Sequence, residues 1–244
     1  GKKTDFYLTS RPQPPSPPGV ARCASGFQNI HMDDRKWWCY QRGSQLLGEG
    51  SFGAVYPAKL YVPSEEEPVP KEYAYTVKVI TQTGPTVEKD IAQETMVNDM
   101  VCPYDEDGSR KCKPHITEYV GAAAGKLMFF KKYPMKASAY MMDVYDSNES
   151  KEVKKKRIHK VLEQLLKGLQ EMHLLNLVHH DFKPENALVD DSDSNNPRAV
   201  VADLGGAFVV EKVPADPPLF GEYYEADTKK NKIEHYSDKE ALEF

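Results

Sequence analysis

The sequence predicts an α+β fold, with a β-rich first half and a helical second half. Glu72 to Ile80 is rich in β-branched and aromatic residues and alternates in polarity, as a half-buried strand requires. Ala54 to Val62 reads as another strand, running out of a cluster of glycines. Beyond Asn148 the period changes: Ile158, Val161, Leu162, Leu165, Leu166, Leu169 and Met172 recur at helical spacing and make one wide apolar stripe. Strands first and helices later are the pattern of segregated layers.

In chain order, residues 1–36 read as an extension, because the prolines from Pro12 to Pro18 favour extended polyproline II. A β-rich lobe is expected over 37–145. Gln45-Leu46-Leu47 leads into the glycines and Ala54 to Val62 leads out, a hairpin. Pro63 to Pro70, with three Glu between, reads as a solvated insertion, and Thr86 to Met100 as a helix. Ile116 to Val120 and Ala139 to Tyr145 are the strands expected to complete the sheet. The helical lobe is then 146–244, with Lys154 to Arg157 as the solvated start of its first helix.

A chain of 244 residues, 40% hydrophobic and 28% charged, can bury a substantial core. Its formal charge of −5 provides no global basic field, which argues against nucleic acid as a partner. No apolar run approaches membrane-spanning length and no signal peptide is visible, so the expectation is a soluble domain, cytoplasmic by default, with chloroplast and secretion as alternatives. Cys102 and Cys112 flank a polar loop that a disulfide would stabilise, but free thiols are the expectation from one such pair; Cys23 and Cys39 lack metal-ligand spacing.

The chemistry is concentrated in His179-His180-Asp181-Phe182-Lys183-Pro184-Glu185-Asn186, followed after a hydrophobic run by Asp203-Leu204-Gly205. A carboxylate to position a hydroxyl, a cation for a moving phosphate, and Asn plus Asp for magnesium are what phosphoryl transfer from ATP needs. Upstream, Gly48, Gly50 and Gly53 form Gly-x-Gly-x-x-Gly, where backbone N–H groups can face phosphates with no Cβ in the way. Because a strand follows it, a dinucleotide-binding unit is disfavoured; without Gly-Lys-Ser/Thr it is no Walker loop. Lys78 lies on the next strand, with Glu94 as its expected helix partner and Glu88 as rival. Asp191 to Asn195 opens like a calcium loop but continues Asn196-Pro197 and has Ala202 at its twelfth position, so it reads as a polar turn.

These four ordered motifs resemble the eukaryotic protein-kinase superfamily over Leu46 to Phe208. The resemblance implies a bilobal fold, ATP and Mg2+ as cofactors, and a protein substrate phosphorylated on Ser or Thr, the Lys183-Pro184-Glu185-Asn186 wording being of the Ser/Thr type. Asp181 is then catalytic base, Lys183 contacts the γ-phosphate, Lys78 pairs with Glu94, and Asn186 with Asp203 binds magnesium. Leu47, Gly48, Gly50, Ser51 and Gly53 would cover the nucleotide, with Val55 and Ala74 above the adenine and Leu188 below. Met142 would guard the back of the pocket, with the backbone of Asp143 and Tyr145 on the adenine edge. The glycine hairpin with Asp203-Leu204-Gly205 is similar to thylakoid state-transition kinases, and the insertions near Pro63 and Cys102 equally suit apicomplexan secreted kinases.

The chain departs from the pattern in four places. His180 replaces the Arg that pairs with a phosphorylated activation loop, which implies activity depending little on such phosphorylation. Leu204 replaces Phe, a mild change, and Asn98 stands where an apolar residue is expected to pack on the Asp203 turn. Ala241-Leu242-Glu243 reads as the end of the activation segment, making the helical lobe partial, with Tyr223, Tyr224, Thr228, Tyr236 and Ser237 as candidate phosphosites. The competing expectation is a pseudokinase, a nucleotide-binding or scaffolding module without turnover.

Overall fold

The computed structural model describes residues 22–50, 53–63, 69–194 and 196–210. Pro12 to Pro18, Ser51, the three Glu after Pro63, the candidate phosphosites and Ala241-Leu242-Glu243 lie outside the described residues. The arrangement is α+β, a β-sheet-rich N-terminal region followed by a helical C-terminal one, consistent with a protein-kinase-like fold. The chain separates into two compact units, residues 1–81 with 121–129, and residues 82–120 with 130–244.

The first unit is built on one sheet. Its strands are β1 (Gln28–His31), β2 (Trp37–Arg42), β3 (Gly48–Gly50), β4 (Gly53–Tyr61), β5 (Tyr75–Ile80), β6 (Tyr119–Ala123) and β7 (Leu127–Lys131). The order is β1-β2-β4-β5-β7-β6, with β3 paired to β4, and residues 121–129 of the last hairpin belong to this unit. β1 lies inside the stretch expected to be a plain extension, so the sheet starts earlier than the sequence suggested. The strand expected at Ile116 to Val120 runs instead over Tyr119–Ala123, and Ile116 keeps only an isolated bridge to Val201.

Cys23 and Cys39 form a disulfide. Beside it Phe27 and Tyr61 meet edge to face, and the Ala24 N–H donates to the Tyr61 hydroxyl at 2.8 Å. Cys102 and Cys112 are also bonded, which corrects the expectation of free thiols. The turn between them brings the two sulfurs together: Lys111 N donates to Pro103 O, and Asp105 N to Ser109 O. Arg110 fixes the same loop, stacked 4.0 Å from the Tyr104 ring centroid and 4.5 Å from that of Tyr119, and donating to Asp99 and Cys102 O.

The second unit opens with α1 (Pro85–Val101), which matches the helix expected there, with Pro85 at its first turn where no backbone donor is required. After β8 (Met135–Lys136) comes α2 (Ala137–Asp146), and after it α3 (Lys151–His173), capped by the Ser150 hydroxyl accepting from Val153 N. Val161, Leu165, Leu169 and Met172 of the expected stripe are buried. Next come β9 (Leu177–Val178), a 3-10 turn over Pro184–Asn186, β10 (Ala187–Asp190), β11 (Arg198–Val201), a 3-10 turn over Leu204–Gly206, and β12 (Phe208–Val209). β10 and β11 are antiparallel, and the Asp191 segment is the polar link between them. Gln164 ties α3 to that hairpin, accepting from Ala199 N at 3.0 Å and donating to Pro197 O at 2.8 Å.

One expected strand is overturned. Ala139 to Tyr145 lies within α2, whose buried residues Ala137, Tyr140 and Val144 have helical spacing. A strand would bury Met142 together with Tyr140 and Val144; in the helix Met142 is 66% exposed and Tyr145 76%. The strand next to β6 is β7, which follows a tight turn with Ala124 and Gly125 at φ 53° and 61°.

Candidate active site

The candidate residues fall into two sets, one in each unit. In the first, Val55 on β4 lies opposite Lys78 on β5 and opposite Gly48 on β3, placing all three on one face. The Leu47 N–H donates to Val55 O at 2.9 Å, which fixes the entry to the hairpin. The three glycines differ in what requires them. At Gly53 a Cβ would run into the Val79 carbonyl, so the sheet itself excludes any side chain. At Gly48 a Cβ would meet nothing within 4 Å, and at Gly50 only the Gly53 carbonyl at 4.0 Å. Packing among the described residues therefore accounts for Gly53 and leaves Gly48 and Gly50 as an open backbone surface.

Ala74, expected above the adenine with Val55, precedes β5 and is exposed; within β5 the residue sharing the face of Lys78 is Thr76, opposite Pro57.

In the second unit the loop after β9 gathers Asp181, Lys183 and Asn186. Lys183 Nζ donates to both carboxylate oxygens of Asp181, at 3.0 and 2.8 Å. Asn186 Nδ2 donates to the Asp181 carbonyl and to its Oδ2, each at 2.8 Å. With both amide hydrogens so directed, Oδ1 of Asn186 is left as an acceptor facing away. The hydrogen bond to Asp181 raises the pKa of Lys183, and the charges of Asp181, Asp203 and Glu185 add to it, while desolvation opposes them. Lys183 therefore stays a cation.

The Asp203 turn is bound to this loop. His179 is fully buried with Nε2 2.9 Å from Ala202 O, and Ala202 N donates to Asn186 O at 2.9 Å. Asp203 adopts a left-handed backbone, φ 58° and ψ 65°, a conformation that Asp tolerates better than most residues. His180 is also left-handed, at φ 69°, with its ring 5.6 Å from Phe208. Leu204 is buried.

α1 packs on the turn after Asp203. A Cβ on Gly205 would lie 3.3 Å from Glu94 Oε2 and 3.6 Å from Asp203 Oδ1, and Gln93 Nε2 donates to Ala207 O at 2.8 Å. Glu94 is buried and Glu88 exposed. Asn98, one turn on, is buried in spite of its polarity. Leu188 is half-buried on β10, opposite Lys136.

Met142, Asp143 and Tyr145 do not form a pocket edge. They lie in α2, where the backbone N–H groups of Asp143 and Tyr145 are used by the helix and both side chains are exposed. The signal that would have separated helix from strand is the Ala137, Tyr140, Val144 spacing. β7 was not anticipated because Leu127-Met128-Phe129-Phe130 is a continuous apolar run without alternation.

The sequence profile of the protein kinase domain matches residues 40–227. This chain belongs to the protein kinase family. The chain is also similar to the chloroplastic serine/threonine-protein kinase STN7 of Arabidopsis thaliana, 28% identical over 177 residues. That match covers 66% of this chain and 29% of the relative, so the chain spans less than a third of the relative's length. No helix among the described residues is long and apolar enough to cross a membrane.

Proposed function

We propose that this kinase domain transfers the γ-phosphate of ATP to a Ser or Thr hydroxyl of a protein. The observation that carries the reading is the Asp181 carboxylate, oriented by donors from both Lys183 and Asn186 within one loop. A carboxylate so fixed can accept the proton of an incoming hydroxyl, and Lys183 beside it can offset negative charge on the transferred group. The Ser/Thr preference is supported by the Lys183-Pro184-Glu185-Asn186 wording and by similarity to a serine/threonine-protein kinase.

ATP with magnesium supplies the electrophilic phosphoryl group, and the residues present suit both. Asn186 Oδ1 and the Asp203 carboxylate would hold the magnesium, hard oxygens of the kind it takes together with phosphate oxygens. Gly48 and Gly50 present backbone without side chains, with Ser51 between Gly50 and Gly53 in the sequence, and Leu47, Val55 and Lys78 lie beside this hairpin. Lys78 is the cation for the α- and β-phosphates. Leu188 serves as the floor of the adenine site. The edge role passes from Asp143 and Tyr145 to the segment leaving β7, where Lys132 and Tyr133 are outside regular structure.

The test is phosphotransfer from labelled ATP, with magnesium or manganese, by the protein and by Asp181→Asn. Loss of about 10²–10⁴-fold is expected, the usual worth of a positioned general base. A protein with no signal above Asp181→Asn, yet binding ATP, would be a pseudokinase. Labelling of a small-molecule panel in preference to protein would remove the protein-substrate reading.

A further inference from the structure

We propose that the junction of α2 and α3 is a docking surface for an acidic peptide segment with an apolar anchor, carried by the protein substrate. Lys151 to Lys160 contains six Lys or Arg (Lys151, Lys154, Lys155, Lys156, Arg157, Lys160) against one carboxylate, Glu152, in a chain whose net charge is −5. The helix gains nothing from this arrangement. Cations in the first turns oppose the positive end of the helix dipole, and Lys151, Lys154 and Lys155 are three and four residues apart, where like charges repel. Only some of these cations have internal work. Arg157 pairs with Glu149 at 2.9 Å, and Lys154 donates to Tyr145 O at 2.6 Å. Lys151 and Lys155 are exposed, and neither has a carboxylate partner among the described residues.

The apolar part lies beside them. Tyr145 and Met142, on the exposed side of α2, are 76% and 66% accessible, and Lys154 Nζ is 5.9 Å from the Tyr145 ring centroid. An exposed aromatic ring and thioether with Lys154 beside the ring, followed along α3 by the exposed Lys155 and preceded by the exposed Lys151, make an amphipathic surface of apolar contact and positive charge. Asp143, Asp146 and Glu149 are interspersed on the α2 side. A flat anionic bilayer would press its charge on those carboxylates, whereas a peptide can set its apolar residue on Tyr145 and direct its acidic residues to the Lys side.

The position gives the contact a use. α2 packs against the Pro184–Asn186 turn of the loop that carries Asp181. A segment held at α2 and α3 keeps the rest of its protein at high local concentration near that loop, lowering KM without changing the chemical step. The role as a substrate tether rests on the phosphotransfer reading; the binding does not.

Two measurements separate these. Fluorescence anisotropy would use a fluorescein-labelled peptide with Phe and Leu set among Glu residues. The protein should bind it, less tightly as salt rises, and Lys151→Glu with Lys155→Glu should weaken binding about tenfold or more while the circular dichroism melt is unchanged. Tyr145→Ala should weaken it with the salt dependence retained. In phosphotransfer, a Ser peptide fused to the acidic segment should show a raised KM and unchanged kcat with the double Lys variant, and a tail-less Ser peptide should show neither change. No peptide binding, or equal binding by the double variant, overturns the proposal. So does loss of binding to phosphatidylserine vesicles, rather than to the peptide, in that variant. Peptide binding without any phosphotransfer would leave the docking surface standing and remove the kinase reading.

Discussion

Asn98 shows how one polar residue can sit against its surroundings. It is 1% exposed on α1, donating from Nδ2 to Glu94 O at 2.8 Å, while its Oδ1 has no partner among the described residues. A buried acceptor left without a donor costs about 1–3 kcal/mol, more than the single bond its amide makes contributes. Asn98→Leu, of similar size and apolar, should therefore raise the stability of the fold by about 1 kcal/mol, read as a higher denaturant midpoint. A lower midpoint would mean that Oδ1 is satisfied. Tyr133 poses a related problem with a pH signature. Its hydroxyl is buried and unpartnered among the described residues, and burial pushes its pKa up to about 12, against a smaller opposing effect of Arg198. The unfolded chain ionises this phenol first, near 10, so the stability tied to the neutral form is whole below pH 10 and is lost as pH rises towards 12. Tyr133→Phe should remove that contribution, making the fall in stability over this interval shallower by up to about 1.4 kcal/mol per pH unit. Equal slopes for the two proteins would refute the shift.

At the scale of elements, helix α3 was legible because its period is long and regular, and the motif loop after it because its residue types are few and ordered. α2 was not, since a short run with Tyr140, Met142 and Val144 alternates like a strand until Ala137 is included. The local sequence fits both periods, and burial against neighbouring elements decides. The face of Lys78 was legible, but not how far its strand extends: Ala74 falls just outside β5 and Thr76 within it. Gly168 illustrates what only packing reveals. By helix propensity alone, Gly→Ala inside α3 would stabilise by about 1 kcal/mol. Yet a Cβ at Gly168 would lie 2.5 Å from His115 O and 2.7 Å from Val201 Cγ2, where the helix meets the turn before β6 and strand β11. That turn is tied down by His115, whose N–H donates to Glu171 Oε2 at 3.1 Å, and by Val201 N donating to His115 O at 2.8 Å. Backbone held from two sides cannot yield cheaply, so overpacking wins. Gly168→Ala should lower stability by about 1–3 kcal/mol, measured by denaturant unfolding, and a gain would show that the helix has room to shift.

Over the whole molecule, all four cysteines are paired, and each compact unit holds one of the two bonds: Cys23–Cys39 in the first, Cys102–Cys112 in the second. The sequence could not reveal this. Cys23 and Cys39 come together because β1 folds back on β2, and nothing in a spacing of 16 residues encodes that register. A cross-link acts chiefly by restricting the unfolded chain, and loops of 16 and 10 residues are worth about 3 kcal/mol apiece on the loop-entropy scale. The folded loops are also held by other contacts, Arg110 among its tyrosines in one and Phe27 on Tyr61 in the other. Reduction should therefore lower the unfolding midpoint and leave the secondary structure in place. The location of the loss should follow the bond removed. Cys23→Ala with Cys39→Ala should reduce hydrogen-exchange protection mainly in β1, β2 and β4. Cys102→Ala with Cys112→Ala should reduce it mainly in α1 and the turn that follows. A midpoint unmoved by reductant would show that the thiols are unpaired in solution, and protection lost equally everywhere would show that the two units unfold as one.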